Sequence, residues 1–215
     1  MNLVFAAPPL VTVAIAGSDA RFPVRRIYCV GRNYNEHVKE MGGEVGRDPP
    51  FFFMKPADAI VLDGHFPYPT MSADVHHEIE LVVALGEGGK IFGHAVGLDM
   101  TRRDLQAAAK KLGRPWDTAK GFDHSAPISA IVSGTAPLTN GAITLDVNGT
   151  RCQTGDISEM IWSIAEIIAE LGTLYALKTG DLIFTGTPAG VGAVQIGDRL
   201  EAAIAGVGAL EVEVV

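Results

Sequence analysis

HHEIELVVAL, residues 76–85, reads as a β-strand with two acids set into it. Side chains two apart on a strand project to one face, so Glu78 and Glu80 point together while Ile79, Leu81 and Val83 point the other way. The acids' face continues as Val82 and Ala84, which is not the pattern of a simply wetted face. With Cβ atoms about 6–7 Å apart and an effective dielectric of about 20, two carboxylates repel by roughly 2–3 kcal/mol. Solvent exposure, a raised carboxyl pKa, basic partners or a divalent cation would each compensate.

The next strand offers a third acid. VGLDMT (96–101) places Asp99 where a strand meets a helix start. Glu78, Glu80 and Asp99 together would make three hard oxygen donors, a set suited to Mg²⁺ or Mn²⁺, with Ca²⁺ admissible. Zn²⁺ favours His and Cys instead. Spacing alone does not make the two strands neighbours. His76 and His77 precede the acids, and the reading keeps both as structural histidines outside the ligand set.

Around this stretch, short β-branched runs are punctuated by Gly, Pro and Asn. Strands are predicted over Leu10–Ile15, Arg26–Val30, Pro50–Met54, Glu78–Leu85, Phe92–Leu98, Ile143–Val147, Leu182–Thr185, Arg199–Ile204 and Ala209–Val214. Asn148-Gly149 signals a type I′ hairpin, and Gly206 with Gly208 a second one. One helix is predicted from an N-cap at Thr101, with Asp104 completing a capping box, to Gly113. Another runs from Ser158 to Gly172, its apolar stripe formed by Met160, Ile164, Ile167, Ile168 and Leu171. A short helix follows GRNY, over Tyr34 to Glu40. No repeat or linker divides the chain, so residues 1–215 read as one β-rich domain, with 1–24 an N-terminal strand segment and 31–50 a lid region.

Composition narrows the function class. The 215 residues are 47% hydrophobic and 20% charged, an ordinary soluble balance. A net charge of −8 argues against nucleic acid, whose phosphates need clustered Lys and Arg. No run approaches the roughly 18 apolar residues of a membrane span. LVFAAPPLVTVAIAG near the start lacks a basic segment and contains Pro8-Pro9, so a strand is expected there rather than a signal peptide. Cys29 and Cys152 lie in unrelated contexts, which points to a reducing compartment and a cytoplasmic location.

Longer motifs carry a family resemblance. YCVGRNYNEHVKEM (28–41), PPFFFMKP (49–56), HHEIELVVALG (76–86), VGLDMTRRDLQ (96–106), GRPWDTAKGFD (113–123) and GDLIFTGTPAGVG (180–192) occur in register with those of the fumarylacetoacetate hydrolase superfamily. The chain resembles its single-domain, acylpyruvase-like branch, and the wording PVRRIYCVGRNY and MTRRDLQ is most similar to that of bacterial fumarylpyruvate hydrolases. The resemblance implies a β-rich α+β fold, a mixed β-sandwich or β-roll with few helices, and a homodimer holding Mg²⁺ or Mn²⁺. Carried over by motif, the metal ligands fall on Glu78, Glu80 and Asp99, the lysine on Lys120, and a lid pair on His37 and Glu40. Arg103, Gln106, Gly186 and Thr187 match substrate-side positions. The loop GEGGKIFGHA (86–95) is short where many relatives carry an insertion.

The implied substrate is a small 2-oxo acid. An acylpyruvate carries a 2-oxo acid and, two carbons on, a second carbonyl; hydrolysis between them needs an activated water and a stabilised pyruvate enolate. A metal chelated by the 2-oxo acid stabilises the enolate. Three carboxylates and a divalent ion leave one negative charge, which Lys120, expected as a catalytic residue, brings near neutrality so that an anionic substrate binds and its enolate gains a partner. His37 and Glu40, spaced i, i+3, share a helix face, as a water-activating His and its orienting acid would, or with Glu40 as the direct base. GDLIFTGTPAGVG has no GK[ST], so it reads as a turn near the metal rather than a phosphate loop. The expected reaction is hydrolysis of fumarylpyruvate to fumarate and pyruvate in aromatic-acid degradation. The alternatives are oxaloacetate decarboxylation or another lyase, hydratase or isomerase activity of the same superfamily.

Overall fold

In the computed structural model of the protein, residues 2–44 and 46–215 are described. Met1 of the N-terminal segment and Val45 of the 31–50 stretch lie outside them.

The Ile79–Leu85 strand is buried at every position, because a layer packs on each of its faces. Leu81, Val83 and Leu85 join one core with Ile143, Leu145, Leu200 and Val212. Val82 and Ala84 join a second core with Ile27, Cys29, Leu182, Phe184 and the N-terminal residues Val13 and Phe22. Burial on both faces explains why the segment reads as a continuous apolar run rather than an alternating one.

Two large sheets enclose the first core, and the N-terminal strands and the 126–131 segment cover the second. The six-stranded sheet runs, in spatial order, Val132–Ser133, Ile91–Leu98, Ile79–Leu85, Asp181–Phe184, Arg26–Gly31 and Phe51–Lys55. It is mixed, since Asp181–Phe184 lies parallel to Arg26–Gly31 and antiparallel to Ile79–Leu85. The five-stranded sheet runs Thr150–Asp156, Ala142–Val147, Arg199–Ile204, Gly208–Val214 and His65–Phe66. The sheets face each other across the first core, which gives the β-rich sandwich expected. Asn148-Gly149 does turn a hairpin, both residues with positive φ (52° and 76°), as a type I′ turn requires. The Gly206–Gly208 turn joins the last two long strands.

Among the described residues, four helices decorate the sheets: α1 (Asn35–Glu40), α2 (Arg103–Leu112), α3 (Asp117–Lys120) and α4 (Ile164–Leu174). Two predicted boundaries are corrected. Thr101 does not cap α2; it lies in a two-residue strand with Arg102, paired to Val75–His77, and its hydroxyl donates to the Asp99 carbonyl. Asp104 makes no capping box but accepts from Ser72 Oγ and the Ala73 N–H, tying the 72–73 loop to the helix. Gly113 closes α2 in the left-handed conformation, as predicted. Likewise α4 starts at Ile164 and not at Ser158, because Ser163 and Glu166 form a reciprocal capping box there. The Ile157–Glu159 stretch is a separate 3₁₀ turn, so Met160 packs on the core from outside the helix. Glu78 stands between the Val75–His77 and Ile79–Leu85 strands rather than inside one.

Candidate active site

Strand register brings the three acids together. Ile79 pairs with Leu98 and Glu80 with Gly97, and the Asp99 N–H donates to the Glu78 carbonyl at 2.8 Å. Glu78 and Asp99 are thus cross-strand partners, with Glu80 diagonal to Asp99. One carboxylate oxygen from each residue lies within 4.8 Å of the others, and all three residues are buried.

Three cations balance the three acids. Lys120 Nζ donates to Glu78 Oε2 (2.8 Å), Asp99 Oδ2 (2.6 Å) and Thr101 Oγ1 (2.6 Å). An ammonium has three protons, and all three are engaged, so Lys120 fixes the acids and has no donor left for a ligand. Lys55 Nζ lies 2.8 Å from Asp99 Oδ1 and donates to the Lys120 carbonyl. Arg103 Nη2 donates to Glu78 Oε1 (2.6 Å) and its Nη1 to Gln106 Oε1 (2.7 Å). Burial alone would raise the Glu78 carboxyl, but Lys120 and Arg103 outweigh it and hold it well below the usual carboxylate range. Burial would likewise lower the Lys120 amine, and Asp99 and Glu78 outweigh it and raise it. Glu80 differs: burial, then Asp99 and Glu78, push its carboxyl well above the usual range, and the Gly186 N–H is its one hydrogen-bond donor among the described residues. A buried acid with like charges beside it and no cation of its own is the observation by which this donor set fits a hard divalent ion.

Two carried-over roles change. Gly186 supplies no free donor to a substrate; its N–H at 2.8 Å holds Glu80 Oε2. Its φ of +97° and the 2.6 Å that an added Cβ would leave to Asn33 Cβ require glycine there. Arg103 is engaged with Glu78 and Gln106 rather than free. Gln106 is therefore oriented, its carbonyl toward Arg103 and its NH₂ unpartnered among the described residues, and it lines the same pocket. Thr187 also lines the pocket, its hydroxyl accepting from Gln153 Nε2 at 2.8 Å.

On α1, His37 is buried and lines the pocket with the three acids, whereas Glu40 does not. His37 Nδ1 lies 3.0 Å from Glu40 Oε2, and Glu40 Oε1 accepts from the Gly190 N–H at 3.0 Å. If Nδ1 is the donor in this bond, Nε2 is left as the acceptor. Glu40 thus sits behind His37 relative to the pocket. His76 and His77 stay outside the cluster, on Asp74 and Gln153, with burial lowering both imidazoles.

Sequence reasoning missed Lys55. It stands inside PPFFFMKP, where a lysine after three phenylalanines reads as the solvent end of a strand; only its pairing opposite Ile27 turns it inward. It also missed α3, four residues that bring Lys120 under the acids, because one turn shows no periodicity. Of the three phenylalanines, Phe53 lines the pocket.

Comparison with known proteins places this geometry in a family. The model of the fumarylacetoacetate (FAA) hydrolase C-terminal domain matches residues 26–215. The solved fumarylpyruvate hydrolase of Pseudomonas aeruginosa, in complex with Mn²⁺ and pyruvate, is 48% identical with a TM-score of 0.96, covering 100% of this chain and 99% of that one. A fumarylpyruvate hydrolase of Ralstonia sp. is 42% identical over 76% of this chain and 92% of its own length. Oxaloacetate tautomerase YcgM of Escherichia coli is 39% identical over 86% of this chain and 90% of its own. By fold, by register of motifs and by these likenesses, the chain belongs to the fumarylacetoacetate hydrolase family.

Proposed function

We propose that the chain is a metal-dependent hydrolase of acylpyruvates that converts fumarylpyruvate and water to fumarate and pyruvate in aromatic-acid catabolism. One observation carries the reading: His37, with Glu40 behind it, lines the same pocket as Glu78, Glu80 and Asp99. The solved relative that holds Mn²⁺ and pyruvate supports it.

A Mg²⁺ or Mn²⁺ ion held by the three acids supplies Lewis-acid stabilisation of the charge that builds on the 2-oxo acid. His37 Nε2 accepts a proton from the water that attacks the acyl carbonyl, and Glu40 steadies the imidazolium. The C–C bond to the pyruvyl group then breaks with its electron pair leaving on the pyruvate enolate, whose carbon takes a proton to give pyruvate. The Gln106 NH₂ and the Thr187 hydroxyl donate to the pyruvyl carboxylate. Lys55, Lys120 and Arg103 keep the acids in place and offset their charge. The 31–50 region, which contains α1, acts as the lid that brings His37 over the substrate. The working form is a cytoplasmic homodimer; among the described residues no helix is long and apolar enough to cross a membrane.

A second reading has specific support, since relatives are named oxaloacetate tautomerase and oxaloacetate decarboxylase. Enolisation or loss of CO₂ uses the same ion but requires no water attack. Turnover of fumarylpyruvate, maleylpyruvate, acetylpyruvate and oxaloacetate with Mg²⁺ and Mn²⁺ separates the two. The hydrolase reading expects fumarate and pyruvate in equal amounts and the highest kcat/KM on fumarylpyruvate. Turnover confined to oxaloacetate would replace it.

A further inference from the structure

Two cations in the pocket lining take no part in that chemistry. Arg32 and Lys110 line the pocket that holds the three acids, both with exposed side chains. Among the described residues, neither has an acid at ion-pairing distance, in a chain with 25 acids and 17 basic residues.

Their positions are built rather than incidental. Arg103, Gln106 and Lys110 recur at i, i+3 and i+7 and so share one face of α2. Along that face Arg103 and Gln106 are buried beside Glu78, and Lys110 is at the open end. Lys110 Nζ sits 5.1 Å from the centre of the Trp116 ring, and Arg32 Cζ 5.9 Å from that of Phe51. Those two rings meet edge to face, 5.1 Å apart at 88°, so one aromatic platform carries both cations. Arg32 takes a left-handed φ of 60°. The next residue is pinned: Asn33 bonds the Trp162 N–H, the Trp162 carbonyl and the Thr185 carbonyl, which sets the direction in which Arg32 leaves the strand. Burial, then Arg103 and Arg32, lower the Lys110 amine, and the nearby Glu78 offsets this only in part.

We infer that Arg32 and Lys110 form a second anion subsite at the open end of the pocket, which takes the terminal carboxylate of the acyl group. The identity of that group rests on the acylpyruvate reading. A ligand anchored by its 2-oxo acid at the three acids extends along α2 past Gln106, and a planar conjugated fumaryl chain lies against Phe53 and Trp116. The subsite selects dicarboxylic acylpyruvates over those that end in a methyl group.

Steady-state kinetics on fumarylpyruvate and acetylpyruvate test this with Lys110→Gln, Arg32→Gln and the double variant. Loss of a charged hydrogen-bond partner lowers kcat/KM for fumarylpyruvate about tenfold or more per substitution, through KM. For acetylpyruvate the decrease stays below about threefold. Arg32→Gly removes the charge while relieving the left-handed backbone, so its melting temperature holds or rises and any loss is not a folding defect. Equal losses on both substrates, or none on fumarylpyruvate, would overturn the subsite. Calorimetry of the Mn²⁺-loaded protein with fumarate and with crotonate, which lacks the second carboxylate, gives a readout independent of turnover. Fumarate should bind about tenfold tighter than crotonate to the native chain and no tighter to the double variant. An unchanged preference overturns the subsite. If the native chain cleaves neither acylpyruvate, the hydrolase reading alone falls, and the fumarate–crotonate difference still decides the subsite.

Discussion

Glu80 and His37 separate holding an ion from using it. Glu80→Ala removes the one acid without a cation of its own, so Mn²⁺ binding followed by calorimetry should vanish together with turnover. His37→Ala leaves all three acids intact; Mn²⁺ should bind as before while hydrolysis falls by about 10²–10⁴-fold. Normal hydrolysis by that variant would remove His37 from the mechanism. Glu80→Gln keeps an oxygen for the Gly186 N–H but drops a charge that burial and two acids oppose. Chelated with EDTA, this variant should unfold in urea no earlier than the native chain, although it no longer binds Mn²⁺. Parity within one strand made Glu78 and Glu80 readable as a pair, and i, i+3 spacing did the same for His37 and Glu40; the addition of Asp99 and the roles of all five came from the family motifs. Lys55 and the true partner of the Gly186 N–H were not readable, since both depend on contacts between segments far apart in the chain.

The loops and helix ends followed rules of their own. Ser163 and Glu166 cap α4 five residues later than predicted from Ser158, because both serines precede an apolar run and only the reciprocal bond distinguishes them. Thr101 resembled a cap, but its backbone was claimed by the Val75–His77 strand and its hydroxyl by Asp99 and Lys120. Asp104 shows the consequence for pH. Burial raises its carboxyl, but the Ala73 N–H, the Ser72 hydroxyl and the Leu105 N–H together outweigh it and hold it below its ordinary 3.8. A carboxyl lowered in the folded state stabilises the fold above its unfolded pKa, and that contribution is lost as pH falls through the folded value. Asp104→Asn should therefore be less stable than the native chain in urea at pH 7, and the gap should close as pH is lowered below about 4. A gap that persists at low pH would show that the Asn side chain fails for steric reasons instead.

The sandwich as a whole rests on a strand shared by two cores. Leu81→Ala empties a fully buried site there and should cost about 2–5 kcal/mol in equilibrium unfolding. Binding at the three acids acts on the same equilibrium: free Mn²⁺ at about 100 times its Kd should add about 2.7 kcal/mol, and Glu80→Ala should abolish the gain. Strand positions were largely legible from β-branched runs and turn residues. The spatial order was not, because the parallel neighbours Arg26–Gly31 and Asp181–Phe184 are separated by most of the chain, and local pattern carries no information on such pairings. Sheet order nonetheless aligns Glu78 with Asp99 and so makes the site. Since Lys55, Arg103 and Lys120 already pair with Glu78 and Asp99, folding need not wait for an ion. The nascent chain can mature empty, and whichever divalent species the cell keeps abundant then decides which holoenzyme it becomes.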